Sequence, residues 1–158
     1  MILTRAQIVL QTDLEKRLTS SIGSLLQGAL MQHIDPAYGE VLHRSELKPY
    51  SQYISFGASG AIWTVQTLTE EAETQIVQPL LSGSFTSLRL EHKDLELPIL
   101  SKTVTHLTEE ELMQQTFFAE CSRKVRLCFI TPCSFKSQGV YQIFPSIRLI
   151  FQSLVNRY

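Results

Sequence analysis

The chain has 158 residues, of which 44% are hydrophobic and 18% are charged. This length suits a single domain with a sizeable core, and the composition excludes a globally disordered protein. The net charge of −1 would argue against a polyanionic partner if the charges were spread evenly, but they are not.

The charge differs sharply between the two ends of the chain. Residues 1–120 hold eight basic residues against all fifteen acidic ones, whereas residues 121–158 hold six basic residues and no Asp or Glu. The basic end therefore either binds a polyanion or pairs with the acidic body, and composition favours neither alternative. Its basic residues are Arg123, Lys124, Arg126, Lys136, Arg148 and Arg157.

The cysteines and the hydropathy pattern narrow the class of protein further. Cys121, Cys128 and Cys133 are odd in number and lack the spacing of a zinc site. We therefore expect reduced thiols in a cytoplasmic protein, with no metal and no cofactor. The N terminus does not resemble a signal peptide, and no apolar run approaches the ~20 residues needed to span a bilayer, so no membrane is expected.

The first third of the chain predicts a strand and a long helix. Residues 2–11 alternate between apolar and polar side chains, as in a half-buried strand. Apolar residues then recur at helical spacing over residues 13–33, with Thr12 and Asp13 as caps and His33 at the end of the apolar face. The segment from Asp35 to Tyr50 has little periodicity and predicts turns.

The middle of the chain predicts a hairpin, a second helix and a fourth strand. Strands over residues 50–56 and 61–67 flank a glycine-containing loop. Thr69 and the acidic residues after it predict the start of a helix that ends before Gly83, and residues 85–92 alternate as a strand. The order β-α-β-β-α-β predicts an α+β, ferredoxin-like (split βαβ) fold.

The remaining residues predict additions to this domain and the start of another. Residues 95–104, interrupted by Pro98, predict an additional edge hairpin, and Thr108 with Glu111 forms a capping box for a short helix to about Phe118. A strand over residues 123–130, a Thr-Pro turn, a polar loop closed by Gly139, a turn at Phe144-Pro145 and a helix follow.

We therefore divide the chain into residues 1–120, a ferredoxin-like domain, and residues 121–158, the incomplete start of a second one. A lone strand and helix in the second part would leave an apolar face and a strand edge uncovered. Either the first domain covers them or another copy of the chain does, which makes a homodimer a prediction.

Three motifs carry a resemblance to a known family. The segment FITPCSFKSQGVYQIFPSIRLIFQSL, residues 129–154, joins a Thr-Pro turn, a Phe-Lys pair, a second Pro and an I-F-x-S-L helix. Earlier, LQGAL at residues 26–30 precedes VLHRSELK at residues 41–48. The combination resembles the CRISPR precursor-RNA-processing endoribonucleases of the RAMP superfamily, in which two ferredoxin-like domains sit in tandem.

The resemblance implies a metal-free cleavage of CRISPR repeat RNA, in which the 2′-hydroxyl attacks the adjacent phosphate to leave a 2′,3′-cyclic phosphate. It also implies other CRISPR-associated proteins of an effector complex as partners. The rest of a second domain and a glycine-rich loop near its end, both expected in the family, do not occur in the sequence. A non-catalytic RNA-binding or assembly protein is therefore the alternative, and a ferredoxin-like scaffold that binds no RNA is a weaker third.

The same resemblance suggests roles for individual residues. His43 becomes the candidate general acid or base, since the unperturbed histidine pKa of about 6.5 leaves both forms available near neutrality. Lys48 would stabilise charge on the phosphate, and Arg44 would position it. Where relatives carry a catalytic Tyr this chain has Met31, so Tyr38 or Tyr50 is the candidate substitute. The expected RNA-binding residues are Arg44, Arg123, Lys124, Arg126, Lys136 and Arg148.

The other histidines have structural or surface roles in this scheme. His33 is predicted at a helix end, and His92 and His106 are predicted to be structural or exposed. Each candidate catalytic residue also has an ordinary alternative as a solvated side chain. On the hairpin, most of the aromatic residues Tyr53, Phe56 and Trp63 are expected to pack under the helices and not to stack on RNA bases.

Overall fold

A computed structural model describes residues 2–12, 22–57, 60–90, 93–120, 122, 124–129, 133–144 and 146–155. The chain divides into two compact units, Met1–Glu120 and Cys121–Tyr158. The elements of the first unit are β1 (Ile2–Leu10), α1 (Gly23–His33), α2 (Pro36–Arg44), β2 (Tyr50–Gly57), β3 (Gly60–Thr67), α3 (Glu70–Ala72), a π-helical segment (Glu73–Val77), α4 (Gln78–Leu81), β4 (Ser87–Leu90), β5 (Leu95–Thr108) and α5 (Glu109–Thr116).

Strand β1 forms the middle of a five-stranded antiparallel sheet in the order β2-β3-β1-β5-β4. Alternate residues of β1 are buried, as its pattern predicts, and α1 and the π-helical segment contact the strands. Trp63 of β3 is fully buried in this core. The ferredoxin-like α+β fold is thereby confirmed, with one strand more than the four-stranded form.

The hairpin of β2 and β3 lies where the sequence predicts it. The two strands pair in register from Tyr50 opposite Thr67 to Gly57 opposite Gly60. Gly60 has a φ of 134°, and a Cβ at this position would lie 2.4 Å from the carbonyl oxygen of Leu10. Glycine is therefore required at Gly60, because β1 passes too close for any side chain.

The predicted second helix is also present, with an irregularity in its middle. The Thr69 hydroxyl accepts a hydrogen bond from the backbone N–H of Ala72 at 3.1 Å, which caps the helix start. The chain then passes through α3, the π-helical segment and α4 without a break. A π-helical turn closes each hydrogen bond over one residue more than an α-helical turn. Glu73, the first residue of this segment, contacts Thr4 of β1 and His106 of β5.

The prediction for residues 13–50 is partly wrong. Residues 13–21 lie outside the described residues, and α1 covers the later part of the predicted helix and ends at His33. The segment after Asp35, predicted as turns, forms the nine-residue helix α2. Only Tyr38 and Leu42 are buried in α2, so its apolar periodicity is too short to be recognised in the sequence.

The prediction of an edge hairpin over residues 95–104 is wrong. These residues belong to the single long strand β5, which occupies the place next to β1 and leaves β4 at the edge. Pro98 interrupts nothing, because it lies where β5 changes partners: it stands opposite Ser87 of β4, and its carbonyl accepts the Gln11 N–H at 2.8 Å. A proline without an N–H is tolerated at such a changeover.

Helix α5 follows β5 directly, and its predicted capping box is confirmed. The Glu111 N–H donates to the Thr108 hydroxyl at 3.1 Å, and the Glu111 carboxylate accepts the Thr108 N–H at 2.8 Å. The two hydrogen bonds that Thr108 donates to this carboxylate, from its backbone N–H and its hydroxyl, lower the pKa of Glu111 from its ordinary value. The helix ends at Thr116, near the predicted end.

The second unit contains strands β6 (Phe135–Ser137) and β7 (Val140–Gln142) and helix α6 (Ile147–Val155). The predicted strand over residues 123–130 is wrong for residues 124–129, which have no regular structure; 123 and 130 lie outside the described residues. The predicted polar loop is instead a tight hairpin, in which Gln138 and Gly139 both have positive φ, as a two-residue β-turn requires. Among the described residues, no helix is long and apolar enough to cross a membrane.

A carboxylate shared by three elements connects the helical layer to the sheet. One Glu73 oxygen accepts the Thr4 hydroxyl at 2.8 Å, and the other lies 2.9 Å from Nε2 of His106. The side chain of Glu73 is only 16% exposed. The pKa of Glu73 is lowered from its ordinary value, first by the His106 hydrogen bond and then by Thr4, although burial opposes the shift.

This arrangement predicts a pH-dependent contribution to stability. Because the pKa of Glu73 is lower in the folded protein, the contribution is present above the unfolded pKa and is lost as pH falls through the folded pKa. We expect Glu73→Gln to lower the free energy of unfolding by roughly 1 kcal/mol at neutral pH and to flatten its fall in acid. Urea unfolding between about pH 7 and about pH 3 measures both effects. The exposed Glu46→Gln is the control, and equal acid slopes in Glu73→Gln and wild type would contradict the prediction.

Candidate functional site

The candidate site is built on α2, whose start is fixed by an Asp-Pro pair. The Asp35 carboxylate accepts the N–H groups of Ala37 at 2.8 Å and Tyr38 at 3.2 Å, and Pro36 occupies the first turn. These are the residue types that helix starts favour, because the first N–H groups lack partners within the helix. The Asp-Pro pair was the signal in the sequence for α2, and its value as a cap was missed.

His43 lies in the last turn of α2 and not in the predicted loop. The preceding residue, Leu42, is buried and fixes this turn against the core. The imidazole of His43 is exposed and makes no hydrogen bond or ion pair within the part of the chain that the structure describes. It is therefore available to a ligand on the protein surface.

Lys48 returns to the end of the same helix. Its ammonium donates to the carbonyl oxygens of Leu42 and Ser45, the latter at 2.5 Å, and lies 3.5 Å from the carbonyl oxygen of His43. The last carbonyls of a helix have no partners within it and carry partial negative charge, so a cation is favoured there. The structure thus brings Lys48 beside the backbone of His43, as a bridge across residues 42–48.

Arg44 adds a second cation to this helix end. It forms an ion pair with Glu40, one turn earlier, at 3.7 Å, and the two side chains are 82% and 69% exposed. Such an exposed pair contributes little to stability, so the guanidinium exchanges partners at small cost. His43, Arg44 and Lys48 therefore form one exposed cluster at the C-terminal end of α2, which we call the α2-end cluster.

Tyr38 does not belong to the exposed cluster. It is 6% exposed and packs in the hydrophobic core. Burial raises the pKa of its phenol, and the nearby Glu71 and Tyr50 raise it further. Because burial and these neighbours all oppose ionisation of the phenol, they disfavour Tyr38 as a catalytic base.

The predicted RNA-binding residues of the second unit are exposed where the structure describes them. Lys124 and Arg126 lie in an irregular stretch, and the Lys136 ammonium lies 5.4 Å from the centre of the Tyr141 ring. Arg148 of α6 lines a surface cavity of about 500 Å³ together with hairpin residues. Arg123 lies outside the described residues.

The other histidines and the cysteines have ordinary environments. His33, at the end of α1, places Nδ1 2.8 Å from the Ala29 carbonyl oxygen and packs edge-on against Phe85. His106 pairs with Glu73, and His92 lies outside the described residues. Cys128 and Cys133 are exposed free thiols. No cluster of three or more His, Cys, Asp or Glu side chains suited to a metal occurs among the described residues.

Comparison with known proteins gives consistent matches. The chain is 33% identical over 159 aligned positions to the CRISPR-associated endoribonuclease Cas6 of Mycobacterium tuberculosis, with 99% of this chain and 51% of the relative covered. It is 35% identical over 134 positions to the Cas6 endoribonuclease of Streptococcus thermophilus, with 83% and 53% covered. The chain thus spans about half the length of the curated relatives it matches. None of the protein-family models compared with the chain matches it.

Comparison with solved structures also supports the observed fold. A Cas6 product complex superposes with a TM-score of 0.71 at 22% identity, and the alignment covers 99% of this chain and 63% of that one. A Cas6 substrate-mimic complex superposes with a TM-score of 0.65 at 21% identity, covering 99% and 62%. At these identities the superposition supports the fold alone.

The Asp35 cap predicts a specific loss of stability. Asp35→Ala removes the acceptor for two helix N–H groups and should lower the free energy of unfolding by about 1 kcal/mol. Asp35→Asn keeps a side-chain oxygen that can accept these N–H groups, so it should retain most of the stabilisation that the cap provides. Urea unfolding of the three proteins tests the cap, and equal losses in both variants would show that the carboxylate charge, not the hydrogen bonds, is what matters.

Proposed function

Because the chain belongs to the Cas6 family of CRISPR-associated proteins, we propose that it carries the catalytic histidine of an endoribonuclease that cleaves CRISPR repeat RNA. The observation that supports this proposal is the α2-end cluster, in which the exposed His43, the exposed Arg44 and the Lys48 ammonium all lie at one helix end. The family assignment gives the substrate class, and the cluster supplies the groups for the reaction.

The proposed reaction is an internal transfer at one phosphate. A base removes the proton of the 2′-hydroxyl, and the 2′-oxygen attacks the adjacent phosphorus. The bond from phosphorus to the 5′-oxygen breaks, and an acid returns a proton to that oxygen. The products are a 2′,3′-cyclic phosphate and a 5′-hydroxyl, so no water is consumed. His43 serves as the acid or base, and Arg44 and Lys48 offset the negative charge on the phosphate.

Basic residues outside the cluster have a separate role in the proposal. Lys124, Arg126, Lys136 and Arg148 are exposed, and the sequence of their unit contains no acidic residue. Contacts from such residues to phosphates position an RNA strand without reading its sequence. Other CRISPR-associated proteins are proposed partners on family grounds. A second copy of this chain is proposed as a partner because the sequence of residues 121–158 predicts an uncovered apolar face and strand edge.

A non-catalytic RNA-binding function is the second candidate, and one observation favours it. The Lys48 ammonium is bonded to backbone carbonyls, so it stabilises a phosphate only if it exchanges these partners. If that exchange does not happen, the α2-end cluster binds RNA without cutting it. Gel-shift and cleavage assays on the same RNA separate the two functions.

The catalytic proposal predicts the behaviour of a His43 variant. Incubated with a repeat RNA in EDTA, the wild-type chain should produce fragments that end in a 2′,3′-cyclic phosphate. His43→Ala should cut roughly 10² to 10⁴ times more slowly, because a proton-transfer group is lost. His33→Gln, altered at the end of the other long helix, should cut at the wild-type rate. Cleavage that EDTA abolishes, or that survives intact in His43→Ala, would refute the proposed mechanism.

The binding proposal predicts a change in salt dependence. Each lysine that contacts a phosphate of single-stranded RNA contributes about 0.7 to the slope of log affinity against log salt concentration. Lys136→Ala should therefore weaken binding for every RNA sequence and reduce the slope by about that amount. Lys93→Ala, at an exposed lysine of the first unit, is the matched control. Unchanged slopes in both variants would remove Lys136 from the binding surface.

A further inference from the structure

A chain of four hydrogen-bonded side chains begins at Tyr50, two residues after Lys48. The indole N–H of Trp63 donates to the Gln52 side-chain oxygen at 2.9 Å, and the Gln52 amide donates to the Gln27 oxygen at 2.6 Å. The Gln27 amide in turn lies 2.6 Å from the Tyr50 hydroxyl. These residues join α1, β2 and β3, and we call them the Gln27–Trp63 relay.

The direction of the Gln27–Trp63 relay is fixed by its buried end. Trp63 is fully buried, and its indole nitrogen is only a donor. The Gln52 oxygen must therefore accept, which turns the Gln52 NH₂ towards the Gln27 oxygen. The Gln27 NH₂ then donates to the Tyr50 hydroxyl. The hydroxyl in turn donates its own proton to the Gln27 oxygen, which lies 3.0 Å away. One unambiguous donor thus orients both amides and the phenol.

The other end of the relay, Tyr50, follows the α2-end cluster in the chain. Tyr50 begins β2 and follows Lys48 by two residues. The intervening Pro49 is held as well, since its carbonyl accepts the Leu68 N–H at 2.9 Å. Two sets of hydrogen bonds therefore hold the segment from His43 to Tyr50. The Lys48 ammonium binds carbonyls at the end of α2, and the Tyr50 hydroxyl binds Gln27 of α1.

We propose that the Gln27–Trp63 relay positions the His43–Lys48 segment for RNA cleavage, with Tyr50 as its positioning residue. This inference rests on the proposed cleavage function. Tyr50 is not a catalytic residue in this scheme, because its hydroxyl exchanges hydrogen bonds with Gln27 and acts on the RNA only through the segment it holds. A displacement of about 1 Å at a reacting group costs up to about a hundredfold in rate, so a loosened segment has a measurable effect.

The first test is a pair of conservative variants at the two sides of one hydrogen bond. Tyr50→Phe removes the hydroxyl, and Gln27→Leu leaves the hydroxyl but removes its partner. Both should lower the single-turnover cleavage rate about tenfold at saturating RNA, with the Kd for RNA and the shape of the pH–rate profile unchanged. The double variant should be no slower than either single one, because residues that act as one unit are not additive. Tyr53→Phe, at the half-exposed tyrosine of the same strand, is the control.

Three results in this assay would overturn the inference. A slow Tyr50→Phe with a wild-type rate in Gln27→Leu would show that the hydroxyl acts on the RNA directly. Wild-type rates in both variants would show that the relay has no part in cleavage. A loss confined to the Kd for RNA would make these residues binding residues and also contradicts the proposal.

A second readout does not depend on cleavage and keeps the two proposals apart. Trp63 is the only tryptophan of the chain, so its indole N–H gives one NMR signal that reports on the relay. Tyr50→Phe should shift that signal and accelerate hydrogen exchange at the amides between His43 and Lys48, whereas Tyr53→Phe should do neither. If the wild-type chain cuts no RNA, the cleavage proposal fails and this measurement still decides the positioning. Unchanged exchange in Tyr50→Phe would refute it.

Discussion

The contact between the Lys48 ammonium and the last carbonyls of α2 is the constraint on which the candidate site depends. It links the carbonyls of Leu42, His43 and Ser45 through a side chain that enters from outside the helix. Without a cation there, these oxygens would rely on water alone, and the helix end would fray. The direction of the His43 side chain is set by this helix end, so the placement of a candidate catalytic group follows from a backbone contact.

Helix α2 needs such contacts because it is short. A helix of nine residues is unstable by itself, since the cost of nucleation is spread over few hydrogen bonds. Here Asp35 satisfies the N–H groups at one end, Lys48 satisfies carbonyls at the other, and Tyr38 and Leu42 anchor the middle in the core. Contacts at both ends and two buried side chains together stabilise α2. Because only two of its nine residues are buried, its sequence shows no long apolar pattern.

The sequence was sufficient where local chemistry determines the structure. The alternation of β1, the Thr69 cap and the Thr108 capping box each depend on neighbouring residues, and all three were predicted correctly. It was insufficient where a partner distant in the chain decides. Pro98 reads as an interruption until β4 and β1 are known to flank it in succession, and nothing near residue 98 encodes that.

The same distinction applies to the site. The motif around residues 41–48 was enough to propose His43, Arg44 and Lys48, and the structure brings these three to one helix end. The sequence alone did not reveal the α2 helix itself, the bonding of Lys48, or the relay behind Tyr50. The relay depends on α1 and β3 packing against β2, a contact between residues as far apart as Gln27 and Gln52.

Two partners compete for the Lys48 ammonium in the proposed reaction. The carbonyls at a helix end present about half a negative charge, whereas a phosphate carries a full one, so RNA at the α2-end cluster favours an exchange. That exchange would break the Lys48 hydrogen bonds that help to hold the His43–Lys48 segment, at the moment when the reaction requires the segment to be fixed. The hydrogen bonds between Tyr50 and Gln27 also hold the segment, and they join neutral groups, so a phosphate charge does not disrupt them. In this scheme the relay keeps the segment in place while Lys48 changes partner.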